Sequence, residues 1–351
     1  MNTTGRRFWT RCLVGALFAV LLFAGSALAQ QTFVIAGFGG PNEALMRKTL
    51  IPEFEKKHNV KVEWLPASST QNHGRIKAQK ANPQVDVILL DHMVQVLASK
   101  EDLLAPLDSK LVPHLADIRK EGRLEGDKGV GFGINYVVLV YNSKIFKEKK
   151  LPEPTSWDDM FRPELKGRVV VRHITSSYGL APMIMLATMN GGNEKNLDPG
   201  FAKFKELAPS VLEFSTTGGQ AEQFMISGDG WISPMGADNA MAVMAKNKDL
   251  KTIVPKEGTI YMLTTANVVK GAPRAELAQK FVNEMLSPKG QQQVATAFTY
   301  MPTSTKVSAT DIKAVLPYDP GSFKEVIVDD EYISKNREAW IERFNKEVLK
   351  K

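Results

Sequence analysis

The residues best suited to chemistry stand in short turns ahead of helix-period stretches. Ser176-Ser177-Tyr178-Gly179, Thr216-Thr217-Gly218-Gly219-Gln220 and Gly236-Ala237-Asp238-Asn239 each precede one, and Gly37-Phe38-Gly39-Gly40 does the same near the start of the chain. A helix start offers N–H groups without intrahelical partners and the positive end of the dipole. Such turns therefore suit a carboxylate, phosphate or phosphonate. Taken singly, a Ser, Thr or Asp before a helix is an ordinary cap; several converging on one crevice make a ligand site. Arg172 and His173 close a strand at the same level, and a guanidinium there would face the same anion. Asp91 and His92 end a buried strand, and Ser69 lies in the polar loop from Pro66 to Asn72. Asp238 can cap its helix or face an amine, while Tyr261 and Tyr300 can stack on a ligand or hydrogen-bond it. The candidate ligand set is Gly39, Gly40, Ser69, Asp91, Arg172, Ser176, Ser177, Tyr178, Thr217, Gly218, Asp238, Tyr261 and Tyr300.

Catalytic signatures are missing from the sequence. There is no Gly-x-Ser-x-Gly elbow, no Walker lysine loop and no paired zinc histidines. His58, His73, His92, His114 and His173 have no flagged nucleophile nearby, and the one cysteine, Cys12, precedes the mature chain. The methionines, such as Met235, Met241 and Met244, sit at helical spacing and fill a core. No catalytic residue, metal or cofactor is expected.

The elements that must position these turns follow from length and patterning. At 351 residues the chain is long for one core and comfortable for two lobes. Residues 1–29 resemble an export signal: Arg6, Arg7 and Arg11, then the apolar run Leu13 to Phe23, then the small-x-small site Ala27-Leu28-Ala29. The mature protein then starts at Gln30 in the periplasm, with no membrane span and no thiol. Of the formal charge of +7, those three arginines supply three units. The remaining lysines are interleaved with acids, as in Glu53-Phe54-Glu55-Lys56-Lys57, so nucleic acid is not an expected partner.

Thr32 to Ala36, Val60 to Trp64 and Val85 to Leu90 read as strands separated by helical stretches. This β-α-β-α-β order implies a parallel, doubly wound sheet whose ligands sit at the carboxyl ends of the strands. A long strand from Gly131 to Tyr141 leaves for a second α/β set that opens at Val169, and Thr264 to Val269 leads back.

The whole mature chain resembles the extracellular solute-binding proteins of ABC transporters, and within them the spermidine/putrescine-binding type, related to the ferric-iron-binding type. The stretches that carry the resemblance are Phe54 to Val62, Thr155-Ser156-Trp157-Asp158-Asp159, Val254-Pro255-Lys256-Glu257-Gly258-Thr259, and Leu277-Ala278 through Phe281 to Pro288. It implies an α/β two-lobed (type II) periplasmic binding protein fold, each lobe a doubly wound sheet with helices on both faces. Lobe 1 is expected over 30–134 and 266–320, lobe 2 over 135–265, and a helical tail over 321–351. It also implies a monomer that closes on a small polar solute, hands it to an inner-membrane ABC permease and catalyses nothing.

The polyamine binders carry an acid two positions after the aromatic that follows Pro-Lys-Glu-Gly. Here Leu263 follows Tyr261, and Ile174 to Gly179 also holds no acid. Without these counter-charges, a ligand bearing an anionic group is expected over putrescine or spermidine. Adjacent tyrosines of the ferric binders are absent, so iron is not expected. A sensor partner in place of a permease would use the same fold.

Overall fold

Strand β1 (Gln31–Gly37) buries Phe33, Ile35 and Ala36 completely, which draws it into the middle of a sheet. β2 (Val60–Pro66) turns Val60, Val62 and Trp64 inward and leaves Lys61 and Glu63 in water, the alternation of a sheet edge. In the computed structural model, which describes residues 30–308, 312, 316–319 and 321–349, β1 pairs in parallel with β2 on one side and with β3 (Val87–Asp91) on the other. The export segment 1–29 lies outside the described residues.

Between these strands run α1 (Pro41–Met46), α2 (Leu50–His58) and α3 (Ser69–Ala78), followed by α4 (His92–Lys100) and the short β4 (Leu104–Ala105). β5 (Val130–Asn142) then crosses to the second lobe and leads into α5 (Ser143–Glu148). That lobe contains β6 (Val169–Arg172), α6 (Ser177–Met189), α7 (Asp198–Leu207), β7 (Val211–Ser215), α8 (Gly218–Ser227), β8 (Ile232–Gly236), α9 (Ala237–Lys246) and β9 (Leu250–Ile253). β10 (Thr259–Val269) returns. It is followed by α10 (Ala275–Leu286), α11 (Pro288–Phe298), β11 (Met301–Pro302), β12 (Glu325–Val326) and α12 (Asp330–Glu347).

Hydrogen bonds link the strands in the order β2-β1-β3-β10-β5-β8-β6-β7. Every residue of β5 is buried, and its two halves serve different lobes. Residues from Val130 to Tyr136 pair with β10, whereas Val137 to Tyr141 pair with β8. β10 in turn pairs antiparallel with β3 from Thr264 to Val268, and its register against β5 shifts between Thr264 and Thr265. β5 is thus welded to strands of both lobes, and β10 to β5 and the first lobe. One apolar core, around Phe33, Phe54 and Phe281, fills the first lobe. Another, around Trp157, Met183, Phe201 and Phe204, fills the second.

Local geometry places the strand ends close to the helix starts. Ser69 is buried, and its Oγ accepts from Asp91 N at 2.9 Å, so α3 docks on the end of β3. Trp64 Nε1 donates to Phe38 O at 3.0 Å and holds the loop after β1 beside them. In the second lobe α6 presses on the end of β6. A Cβ on Gly179 would stand 2.3 Å from Arg172 O and 2.4 Å from His173 O, so only glycine permits this approach. Gly179→Ala is expected to force α6 away from β6 and destabilise the fold by about 1–3 kcal/mol. A shift of the urea midpoint at unchanged slope measures this; an unchanged midpoint would show that the helix start has slack.

Candidate ligand-binding site

A cavity of about 290 Å³ opens where the two lobes face one another over the crossing strands. The first lobe supplies Phe38, Ser68, Ser69, Thr70, Asp91 and Val94. The second supplies Arg172, Thr175, Ser176, Ser177, Tyr178, Thr216 and Asp238. Tyr300 and Arg337 reach in from the chain that follows β10. Of the residues predicted from sequence, Ser69, Asp91, Arg172, Ser176, Ser177, Tyr178, Asp238 and Tyr300 come together here.

Five others do not line it. Gly39 packs near Pro66, and Gly40 is exposed at a φ of 75°, so both shape the loop while Phe38 faces the cavity. Thr217 caps α8, accepting from Gln220 N at 3.3 Å, and Gly218 opens that helix; their neighbour Thr216 forms the wall. Tyr261 pairs with Tyr136 across the two crossing strands, and its ring packs edge-on against Tyr136 at 6.5 Å. It belongs to the cluster around Ile134, Leu263 and Phe323, not to the cleft.

The lining residues Phe38, Ser68, Thr70, Val94, Thr175, Thr216 and Arg337 were not among the sequence candidates, nor was Asn135 behind the wall. Asn135 is fully buried on β5, and its Nδ2 donates to Tyr178 Oη at 2.7 Å and to Asp238 Oδ1 at 2.9 Å. Its own Oδ1 accepts from Ala237 N at 3.0 Å. One hinge amide therefore sets the starts of both α6 and α9. An Asn inside an otherwise apolar strand, Ile134-Asn135-Tyr136-Val137, was the available signal. Arg337 sits on α12, far along the chain, and no local pattern marks it. Its Nη2 donates to Thr175 O at 2.6 Å and its Nη1 to Ser177 Oγ at 3.4 Å, which parks the guanidinium beside the first turn of α6.

Asp91, Arg172, Asp238 and Arg337 are each half-buried and open to the cavity. Among the described residues, neither Arg172 nor Arg337 forms an ion pair with Asp91, Asp238 or any other acid, and Arg172 Nε has no hydrogen-bond partner. Burial lowers the pKa of both arginines, although Tyr178, Asp91 and Asp238 oppose this at Arg172 and Asp91 does so at Arg337. Burial raises Asp91, against a hydrogen bond from Ser69 and the fields of both arginines. It pushes Asp238 to about 6, against hydrogen bonds from Asn135 and Asn239. Tyr178 and Tyr300 are pushed well above the ordinary phenol value, again by burial, so both keep their protons. Charges withdrawn from water commonly pair, the more so the deeper they lie. Here two cations and two carboxylates face one cavity without doing so.

Such a cleft between two lobes, walled by helix starts and unpaired charges over two crossing strands, defines a solute-binding protein. The chain belongs to the bacterial extracellular solute-binding protein family, whose pattern matches residues 49–317. It is the solute-binding component of an ABC importer. It is 26% identical over 349 residues to the gamma-aminobutyric acid-binding protein of Pseudomonas aeruginosa, covering 93% of each chain. A Salmonella typhimurium protein named as 2-aminoethylphosphonate-binding and periplasmic is 23% identical over 266 residues, or 74% of each chain. An ABC-transporter substrate-binding protein from Bradyrhizobium japonicum superimposes with a TM-score of 0.77 at 21% identity, over 92% of this chain and all of the other, and shares the fold. Among the described residues no helix is long and apolar enough to cross a membrane, and no three His, Cys, Asp or Glu are grouped to hold a metal.

Asp238 gives a pH signature. Its pKa in the folded chain lies above the 3.8 of an unperturbed carboxyl, so stability is greatest below that value and is lost as pH rises through about 6. Asp238→Asn keeps the acceptor oxygen and removes the charge. Between acid and neutral pH the ligand-free variant should therefore gain about 1–2 kcal/mol on the wild type, allowing for solvent screening. Parallel denaturation curves for the two at all pH values would show that Asp238 is not perturbed. Tyr261→Phe, by contrast, is expected to leave ligand affinity unchanged in calorimetry, and a large loss would return Tyr261 to the cleft.

Proposed function

We propose that the protein works in the periplasm as a monomer, captures a small solute bearing an anionic group, and delivers it to an inner-membrane permease without altering it. The observation that carries this reading is the meeting of Arg172 and Arg337 in one cavity, neither paired with an acid, beside the start of α6. An anion placed there would receive charge-assisted bonds from both guanidinium groups and from a helix start.

The carboxylates in the same cavity refine the chemistry. A simple anion would leave Asp91 and Asp238 without a counter-charge, whereas a solute with an ammonium at its other end pairs with them. A cavity of about 290 Å³ has room for roughly ten water volumes, the scale of a short amino acid or aminophosphonate. Two relatives are named for gamma-aminobutyric acid and 2-aminoethylphosphonate, solutes of this double charge. Asp91, Asp238 and the rings of Tyr178 and Tyr300 also support a second reading, a short polyamine held by carboxylates and aromatic faces. That reading leaves both arginines opposed to the ligand, so we place it second.

Closure follows from differential binding. A solute touching Asp91 on one lobe and Arg172 on the other stabilises the closed form by the contacts made only there. A melting-shift panel of gamma-aminobutyric acid, 2-aminoethylphosphonate, inorganic phosphate and putrescine tests the charge requirement. The doubly charged solutes should raise the melting point, with stabilisation approaching about 2.7 kcal/mol at a hundredfold excess over Kd. Recovery of the solute unchanged is expected as well. A shift with putrescine alone would overturn the anionic reading, and release of a converted product would make the protein an enzyme.

A further inference from the structure

The second arginine of the cleft comes from a helix outside both sheets. The far half of α12 is fixed to the second lobe. Phe344 is fully buried, edge-on to His173 at 5.0 Å and to Phe214 at 5.3 Å. Asn345 Oδ1 lies 2.9 Å from His173 Nε2, and Arg343 pairs with Asp198 at 2.5 Å while covering the ring of Phe201 at 4.1 Å.

The start of the same helix is held from both sides: Asp329 pairs with Lys195 and Ile333 joins the core of the second lobe, while the next side chains, Asp330 and Glu331, reach the first lobe. Asp330 Oδ2 stands 2.5 Å from His92 Nδ1, and Glu331 pairs with Lys100 at 2.5 Å. His92 and Lys100 are the two ends of α4, the helix that begins directly after the cleft residue Asp91. Arg337 lies between the two anchorages. It reaches Thr175 O and Ser177 Oγ on the second lobe, and its Nη1 is 3.9 Å from Met93 Sδ on the first. A helix rooted in one lobe and fastened to the other must release the weaker fastening whenever the lobes separate. Lys100 and Glu331 are both more than half exposed, and such pairs contribute little. His92 and Asp330 are 26% and 17% exposed, so this is the stronger of the two polar fastenings, beside the apolar packing of Met93 in the same core as Ile333.

We propose that α12 is a strap that couples ligand charge to lobe closure: Arg337 binds the ligand's anionic group, and the His92–Asp330 contact, made only with the lobes together, holds the closed form. This rests on the anionic reading of the cleft given above. Contacts present only in the closed state add to its population, so loss of the clasp raises the dissociation rate and leaves the encounter step nearly unchanged. Loss of Arg337 weakens binding of anionic solutes in particular.

The test uses full-length mature protein and gamma-aminobutyric acid, 2-aminoethylphosphonate and putrescine as probes. Arg337→Gln keeps a donor for Thr175 O and removes the charge. It should weaken the anionic probes at least tenfold in calorimetry while the ligand-free protein still unfolds in one cooperative transition, and Arg337→Lys should recover part of the loss. His92→Ala and Asp330→Ala should each speed dissociation several-fold in stopped flow. The double variant should be no faster than either single one, and small-angle scattering should show a more open ligand-free molecule. Wild-type affinity for the anionic probes in Arg337→Gln, or wild-type dissociation in both clasp variants, overturns the strap alone. If the wild type binds putrescine and neither anionic probe, the anionic reading fails and the strap falls with it.

Discussion

The antiparallel pairing of β5 with β10 is the constraint on which the molecule depends. One half of β5 serves each lobe and β10 pairs with its first half, so the lobes cannot be separated without breaking the ladders of that strand. They can only rotate about it. The same arrangement leaves the ends of β3, β6 and β8 facing one another with their helix starts opposed, and the cleft is a by-product of that geometry. Asn135, buried within the crossing, carries the geometry into the site by holding Tyr178 and Asp238 at once.

Charge explains why the cleft is a site and not a packing defect. A protein that hides arginines and aspartates normally lets them neutralise each other. In this cleft the scaffold keeps them apart: Asp238 is held by Asn135 and Asn239, Arg337 by a carbonyl and a hydroxyl, and Asp91 lies next to Ser69. The cost is visible in the direction in which burial moves each group. A solute with complementary charges relieves that cost on both walls at once. Affinity and lobe closure then have the same physical source.

The placement of α12 shows how the cleft can be completed from outside the two sheets. Its apolar roots at Ile333 and Phe344 belong to the core of the second lobe, yet its first turn addresses the helix that follows β3. A terminal element of this kind adds a cation to the site without changing the sheet order.

Much of the fold was legible in the sequence, because strand alternation, helix period and turn residues are local. Thr32 to Ala36, Val60 to Trp64 and Val85 to Leu90 announce a parallel sheet, and Ser176 announces a helix start that forms one wall, whereas Pro66 to Asn72, which reads as a loop, already holds the first turn of α3 from Ser69. Ser69, Asp91, Arg172, Ser177 and Asp238 could be picked out because they stand at strand or helix ends, and chain position alone puts such residues on the ligand-facing side of a doubly wound sheet. What the sequence could not decide was side: Tyr261 has the chemistry of a cleft residue, but the register of β10 against β5 turns its ring toward Tyr136 and away from the cavity. Nor could it decide distance. Arg337 meets Thr175 across more than 160 residues, and Asn135 meets Asp238 across more than 100, contacts set by packing that no local pattern encodes.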